Sequence, residues 1–147
     1  FARPGARRTM DTFEIPNLVN IVVDDDVETA ADAVRMFLGF YIGGMGAKEV
    51  NFHASLFARM GYGDEVEEIQ DLFLAGRKDE AAAAIPDEFI DEEAIVGPPD
   101  RIREQFKAGA DAGEKGLDGL KISAWQPEAL ELMADLAGTR DTLPRSR

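Results

Sequence analysis

Cysteine is absent from the 147 residues. Its absence excludes disulfides, thiolate zinc sites and a cysteine nucleophile, and it agrees with a reducing cytoplasm. His53 is the only histidine, so multi-histidine metal motifs and most Ser-His-Asp schemes fall away. Cations are scarce as well: 16 Lys and Arg stand against 29 Asp and Glu, for a net charge of −13. Binding to nucleic acid needs a cationic stripe. Here the arginines gather instead at the two ends (Arg3, Arg7, Arg8; Arg140, Arg145, Arg147), where they read as solvated tails. No apolar run is long enough to span a bilayer, no signal-peptide pattern occurs, and neither a P-loop nor a G-x-G-x-x-G is present.

What is there suits a folded domain. Hydrophobic residues make up 45% and charged residues 31%, ordinary values for a globular protein of one core. The opening, Phe1 to Pro16, is turn-rich and reads as irregular. It carries no initiator Met, which leads to the expectation that these residues belong to a longer protein. Leu18 to Val23, L-V-N-I-V-V, is a β-branched run of the kind buried in parallel sheets. Asp25 and Glu28 fit a capping box, and Val27 to Tyr41 follows helical spacing up to a stop at Gly43-Gly44.

A helical stretch follows: Phe52 to Met60, Val66 to Phe73, and Asp79 to Ile85, closed by Pro86. Two more strand-helix units come next. Ala94 to Val96 leads through Gly97-Pro98-Pro99 into a helix that stops at Gly113. Leu117 to Ser123 leads into a helix begun by Pro127. The pattern is βα, helical insertion, βα, βα, which means parallel strands with helices packed outside. Three strands alone leave both edges unpaired. The expected fold is therefore α/β, the C-terminal portion of a (β/α)8 barrel spanning 1–138, with a flexible tail at 139–147. Aggregation or dimerisation through the open edges is the corresponding expectation for the chain on its own.

Candidate chemistry is sparse. Asp24-Asp25-Asp26 resembles a hard-cation site only superficially, because consecutive carboxylates converge poorly; capping a helix is the better use. His53, alone at a helix opening, reads as a polar contact or cap before a general base. Gly97-Pro98-Pro99-Asp100 could offer a helix start to a phosphate, but the prolines remove two donors and Asp100 repels an anion, so a structural turn is favoured. Tyr41 to Phe52 is different. Tyr41, Met45 and Phe52 offer broad apolar faces, Gly43, Gly44 and Gly46 permit close approach, and Lys48 and Asn51 add polar handles. Such mixtures build pockets for flat cofactors and apolar substrates; on composition alone a plain helix-turn-helix with aromatics in its core is the favoured reading.

Several longer stretches carry a likeness: F-A-R-P-G-A-R-R at 1–8, V-D-D-D at 23–26, and Y-I-G-G-M-G-A-K-E-V-N-F-H at 41–53. To these add R-M-G-Y at 59–62, L-F-L-A-G-R-K-D-E-A-A-A-A-I-P-D-E at 72–88 and I-V-G-P-P-D-R-I at 95–102. In this order they resemble the luciferase-like monooxygenase superfamily, and within it the F(420)-dependent oxidoreductases similar to methylenetetrahydromethanopterin reductase. The resemblance implies hydride transfer or monooxygenation of a small organic substrate by coenzyme F(420), with FMN as the other cofactor choice and no metal. It also implies a homo-oligomer when full length, in the cytoplasm, without nucleic-acid or membrane partners.

By position, Tyr41, Gly43, Gly44, Met45, Asn51 and Phe52 would lie on the substrate side of the pocket. No catalytic or cofactor-binding residue carries over, since most cofactor contacts in the family come from the first half of the barrel. The contrasting expectation is a non-catalytic truncated chain or assembly module that binds no cofactor.

Overall fold

A computed structural model of the chain describes Gly5 and residues 16–113 and 119–139. Its elements are β1 (Pro16–Val23), α1 (Val27–Gly44), a 3-10 turn (Lys48–Val50), α2 (Phe52–Met60), α3 (Gly63–Leu74), α4 (Lys78–Ala83) and α5 (Asp87–Glu93). Then come β2 (Ala94–Gly97), α6 (Pro99–Gly113), β3 (Gly119–Ser123) and α7 (Pro127–Leu136). The expected irregular opening lies outside the described residues except for Gly5 and Pro16, and Pro16 starts β1. The expected tail lies outside them beyond Thr139.

The strands are parallel and ordered β2-β1-β3. β1 reads as a largely apolar run because it is the middle strand, with Val19, Ile21 and Val22 buried on its two faces. Val22, together with Ala94 and Val96 of β2, faces α1 and the insertion α2 to α5. Val19 and Ile21, with Ile95, face Ile102 of α6 and Ala129 and Met133 of α7. Right-handed crossovers to opposite flanks of β1 require this split, with α1 on one face and α6 on the other. In a barrel, successive strands are neighbours and every helix lies outside. The first two strands and α1 meet that order; β3 on the far flank of β1, with α6 and α7 on the face opposite α1, departs from it.

The larger core lies under α1. Val34, Leu38 and Ile42 are 5% exposed or less, and burying each stabilises by about 1.5–3 kcal/mol. Phe57 and Tyr62 meet Phe89 edge-on with centroids at 4.4 and 4.8 Å, tying α2 to α5. Arg35, 5% exposed, also crosses to α5. Its Nε donates to the Ile85 carbonyl at 3.2 Å, Nη1 donates to Glu28 and Asp32 at 2.6 and 2.8 Å, and Nη2 pairs with Asp87. Burial works against its charge, but the bonds to Asp32 and Glu28 and the charge of Asp87 outweigh that and hold the guanidinium above its ordinary value.

The first helix ends at Gly44, at the expected glycine pair, and Gly46 (φ +125°) turns the chain after it. Two expectations need correction. The cap of α1 is Asp26, whose Oδ1 accepts from Thr29 N at 2.8 Å, not Asp25. Pro86 is not merely a stop, because the acidic Asp87–Glu93 forms α5 directly after it. A third difference concerns edges. Val96 N donates to Gln105 Oε1 at 3.3 Å and Val96 O accepts from Arg101 Nε at 3.1 Å, so side chains of α6 cover that part of the outer edge of β2.

Candidate functional site

Parallel sheets of this kind hold their sites at the carboxyl ends of the strands. At the end of β1, Asp24 N donates to Gly97 O at 3.2 Å and Asp24 Oδ1 accepts from Asp26 N at 2.9 Å. The backbone and side-chain hydrogen bonds from Thr29 hold the Asp26 carboxyl below its ordinary value. The aspartate run is thus used as a turn and cap, and among the described residues no group of His, Cys, Asp or Glu could hold a metal ion.

At the end of β2, Gly97 has φ +115°, and a Cβ there would meet Arg101 Cδ at 2.9 Å and Val27 Cγ2 at 3.2 Å. Arg101 Nη2 reaches Asp91 at 2.5 Å. A cleft of about 230 Å³ opens beside it, with Val27, Ala31, Ile90 and Val96 as apolar walls. Gly97-Pro98-Pro99 forms the sharp turn that the sequence suggests. Pro99 is the first residue of α6, where its missing N–H costs nothing.

At the end of β3, sequence reasoning missed the principal contact. Val23 N donates to Gln126 Oε1 at 2.8 Å and Gln126 Nε2 donates to Val23 O at 2.7 Å. The side-chain amide stands in for one more residue of strand, continuing the β3 pairing to the tip of β1. Nothing local signals this, because the two residues are 103 positions apart. Beside it Trp125 is 62% exposed.

The Tyr41-to-Phe52 run lies elsewhere. Tyr41 follows Val27 by fourteen helical residues, which puts it roughly 20 Å along α1 from the carboxyl end of β1. Its residues divide into two groups. Gly43 and Gly44 pack against Phe73: a Cβ on Gly43 would sit 2.4 Å from Phe73 Cβ, and one on Gly44 2.7 Å from Phe73 Cε1. Asn51 is 1% exposed. Its Nδ2 donates to the carbonyls of Tyr41 and Ile42 at 3.0 and 2.7 Å, while its Oδ1 accepts from Ala54 N at 3.1 Å. All of its polar atoms are taken up in joining the end of α1 to the start of α2.

Tyr41, Met45 and Phe52 form the second group, on a surface. Phe52 is 67% exposed, and Tyr41 stacks with Phe37 and His53 at 4.3 and 4.6 Å. His53 is therefore an aromatic contact between Tyr41 and Phe52, and the cap expected of it is supplied by Asn51.

The family model "luciferase-like monooxygenase" matches residues 2–115, ending before β3. A Mycobacterium tuberculosis (strain ATCC 25618 / H37Rv) protein, named as a candidate coenzyme F(420)-dependent oxidoreductase, is 50% identical over 113 residues. That match covers 77% of this chain and 33% of the relative. The solved coenzyme F(420)-dependent tetrahydromethanopterin reductase of Methanopyrus kandleri superposes with a TM-score of 0.56 at 17% identity, over 89% of this chain and 35% of that one. At that identity the likeness shows a shared fold. The chain spans about a third of the length of the relatives it matches.

Proposed function

Because the chain belongs to the luciferase-like monooxygenase family, we propose that it forms the closing portion of a deazaflavin-dependent oxidoreductase barrel. The whole enzyme moves a hydride between coenzyme F(420) and a small organic substrate. The observation that carries this reading is the 50% identity over 113 residues to a relative named for F(420). That name favours deazaflavin over FMN.

The strand ends of this chain do not fit the cofactor on their own. Gln126 is committed to Val23, Arg101 to Asp91 and Val96, and the aspartates at 24–26 put negative charge at the rim. No step of the reaction is therefore assigned to these residues. What they supply is a fixed wall: the β1 and β2 termini held by Asp24, Gly97 and Gln126. In the Tyr41-to-Phe52 run, Gly43, Gly44 and Asn51 are taken up in packing, which leaves only the exposed faces of Tyr41, Met45 and Phe52, roughly 20 Å along α1 from the strand ends, as candidates for a substrate contact. The reading extends to a cytoplasmic homo-oligomer with a small-molecule substrate.

The test joins this chain behind the leading two-thirds of the M. tuberculosis relative and follows coenzyme F(420) by fluorescence and absorbance. Saturable binding, with bleaching when a reduced substrate is supplied, supports the reading. A folded joined protein that binds FMN and not F(420) overturns it.

A further inference from the structure

α1 carries two apolar sides, and the fold uses one of them. Val34, Leu38 and Ile42 belong to the core, whereas Met36, Phe37 and Phe40 are 54%, 44% and 48% exposed. Thr29, Ala33, Met36, Phe37, Phe40 and Gly44 recur at helical spacing along this second side. None of them is charged. The charged residues of α1, Glu28, Asp32 and Arg35, are turned to one another and to Asp87 of α5. From Met36 to Ala47 the sequence carries no charge at all. A helix side facing water over such a length ordinarily carries charge.

Ring contacts extend this surface onto α2. Phe37 and Phe40 meet Tyr41, Tyr41 meets His53, and His53 meets Phe52. With large side chains half open, and about 200 Å² for each when fully open, the face offers on the order of 600 Å². That is the upper end for an apolar patch on a monomer. Two such faces together make about 1,200 Å², the lower end of a stable interface.

The taper of the face says what fits it. Thr29 and Ala33 make one half small; Phe37 and Phe40 make the other half large. A second α1 laid antiparallel, crossing between Met36 and Phe37, sets Phe40 against Ala33 of the second copy and Met36 against Phe37. Each contact then occurs twice, as a two-fold interface requires, with helix axes about 8–10 Å apart. A parallel partner would set large on large. Charge argues the same way. A basic partner is drawn to carboxylates, and this side of α1 presents none. A chain of net charge −13 meets its own copy most readily where charge is absent.

We infer that this side of α1 is the interface for a second copy of the chain, paired antiparallel about a two-fold axis. Tyr41 and Phe52 lie at its rim. Self-association thereby moves from the open sheet edges to a helix face. The pairing depends on neither cofactor nor substrate, so it stands or falls apart from the proposed function.

Sedimentation velocity tests it on this chain and on the chain joined to the leading two-thirds of the M. tuberculosis relative. Both should form dimers, and the dimers should tighten as salt rises, because screening relieves repulsion between acidic copies. Met36→Glu with Phe40→Glu should weaken dimerisation by about 30-fold or more. Leu130→Glu, on the exposed side of α7, should leave it unchanged. Proteins that stay monomeric, or a dimer indifferent to the two glutamates, overturn the inference. So does a joined protein that is monomeric while this chain pairs, since the face is then covered within one polypeptide.

Should the glutamate variant lose its fold by circular dichroism, cross-linking decides. The chain has no cysteine, so Met36→Cys supplies a single thiol. A short bismaleimide should join two copies through that position and not through Leu130→Cys. Equal cross-linking at both positions contradicts the pairing. F(420) binding by the joined protein is read separately, and either proposal can fail while the other stands.

Discussion

Asn51 Nδ2 donates to the Ile42 carbonyl at 2.7 Å, so the last turn of α1 is closed from the first residue before α2. Gln70 Nε2 reaches the same carbonyl at 3.3 Å. One buried acceptor therefore gathers α1, α2 and α3. The amide also caps α2 through Ala54 N, and a Gly-rich turn between two helices thereby becomes a rigid joint.

Asn51→Ala removes both donors and the cap from a fully buried position. The Tyr41 carbonyl then loses this donor and the Ile42 carbonyl keeps only the longer bond from Gln70, at a cost of about 2–4 kcal/mol by the usual price of weakened buried pairing and a lost cap. Urea denaturation should show the midpoint falling with little change in slope. Asn51→Asp should be at least as severe at neutral pH, because a carboxylate would face two carbonyl oxygens. A midpoint unchanged by Asn51→Ala would remove the joint from this account.

Gly43→Ala separates two opposed effects. In an open helix the change would stabilise by about 1 kcal/mol. Here the added Cβ falls 2.4 Å from Phe73, and overpacking of that kind costs about 1–3 kcal/mol. Net destabilisation is expected in a thermal melt, and Phe73→Gly, which removes the Cβ as well as the ring, should abolish the sensitivity to Gly43→Ala. Additive effects in the double variant would contradict the contact.

Arg35→Met keeps most of the buried stem and removes the guanidinium. The Ile85 carbonyl loses its donor, and three exposed carboxylates lose their shared partner. Since those carboxylates can return to water, the expected loss is about 1–3 kcal/mol, the scale of a charge-assisted bond, and not that of an isolated buried charge. Chemical denaturation of the two proteins measures it. A variant as stable as the parent would show the α1–α5 bridge to be idle.

Glu93 supplies the pH test. Burial at the end of α5, with Glu92 beside it, holds its carboxyl above the ordinary value. A raised folded pKa means that the folded state binds the proton more tightly, so this group's contribution to stability falls as pH rises through that pKa. Glu93→Gln should therefore raise the melting temperature at neutral pH. The advantage should shrink as pH falls through the ordinary carboxylate range. A difference that is constant with pH would assign the effect to something other than ionisation.

The sequence made some of this legible for physical reasons. Leu18 to Val23 announces a parallel strand because a middle strand buries β-branched residues on both faces, here Val19 and Ile21 on one and Val22 on the other, and the structure has it there. Pro127 marks the start of α7 because its fixed φ and missing N–H suit a first turn. Gly43-Gly44 marks the end of α1 correctly, but its second use, close packing against Phe73, depends on a residue about thirty positions away that no local pattern shows.

α5 is hidden because Phe89 and Ile90 are its only buried residues among acids, too few to show a period. Gln126 is invisible for a third reason: its partner is distant in sequence and is backbone, which has no composition. In the Tyr41-to-Phe52 run, residue types pointed to a surface worth noticing. Whether Asn51 faced a pocket or a helix end depended on contacts that no local pattern encodes.

The most direct test of the central claim is a fluorescence titration of coenzyme F(420) into this chain alone and into the chain joined to the leading two-thirds of its M. tuberculosis relative. The account expects saturable binding by the joined protein and none by the isolated chain, whose strand-end donors are already occupied. Micromolar or tighter binding by the isolated chain would contradict it.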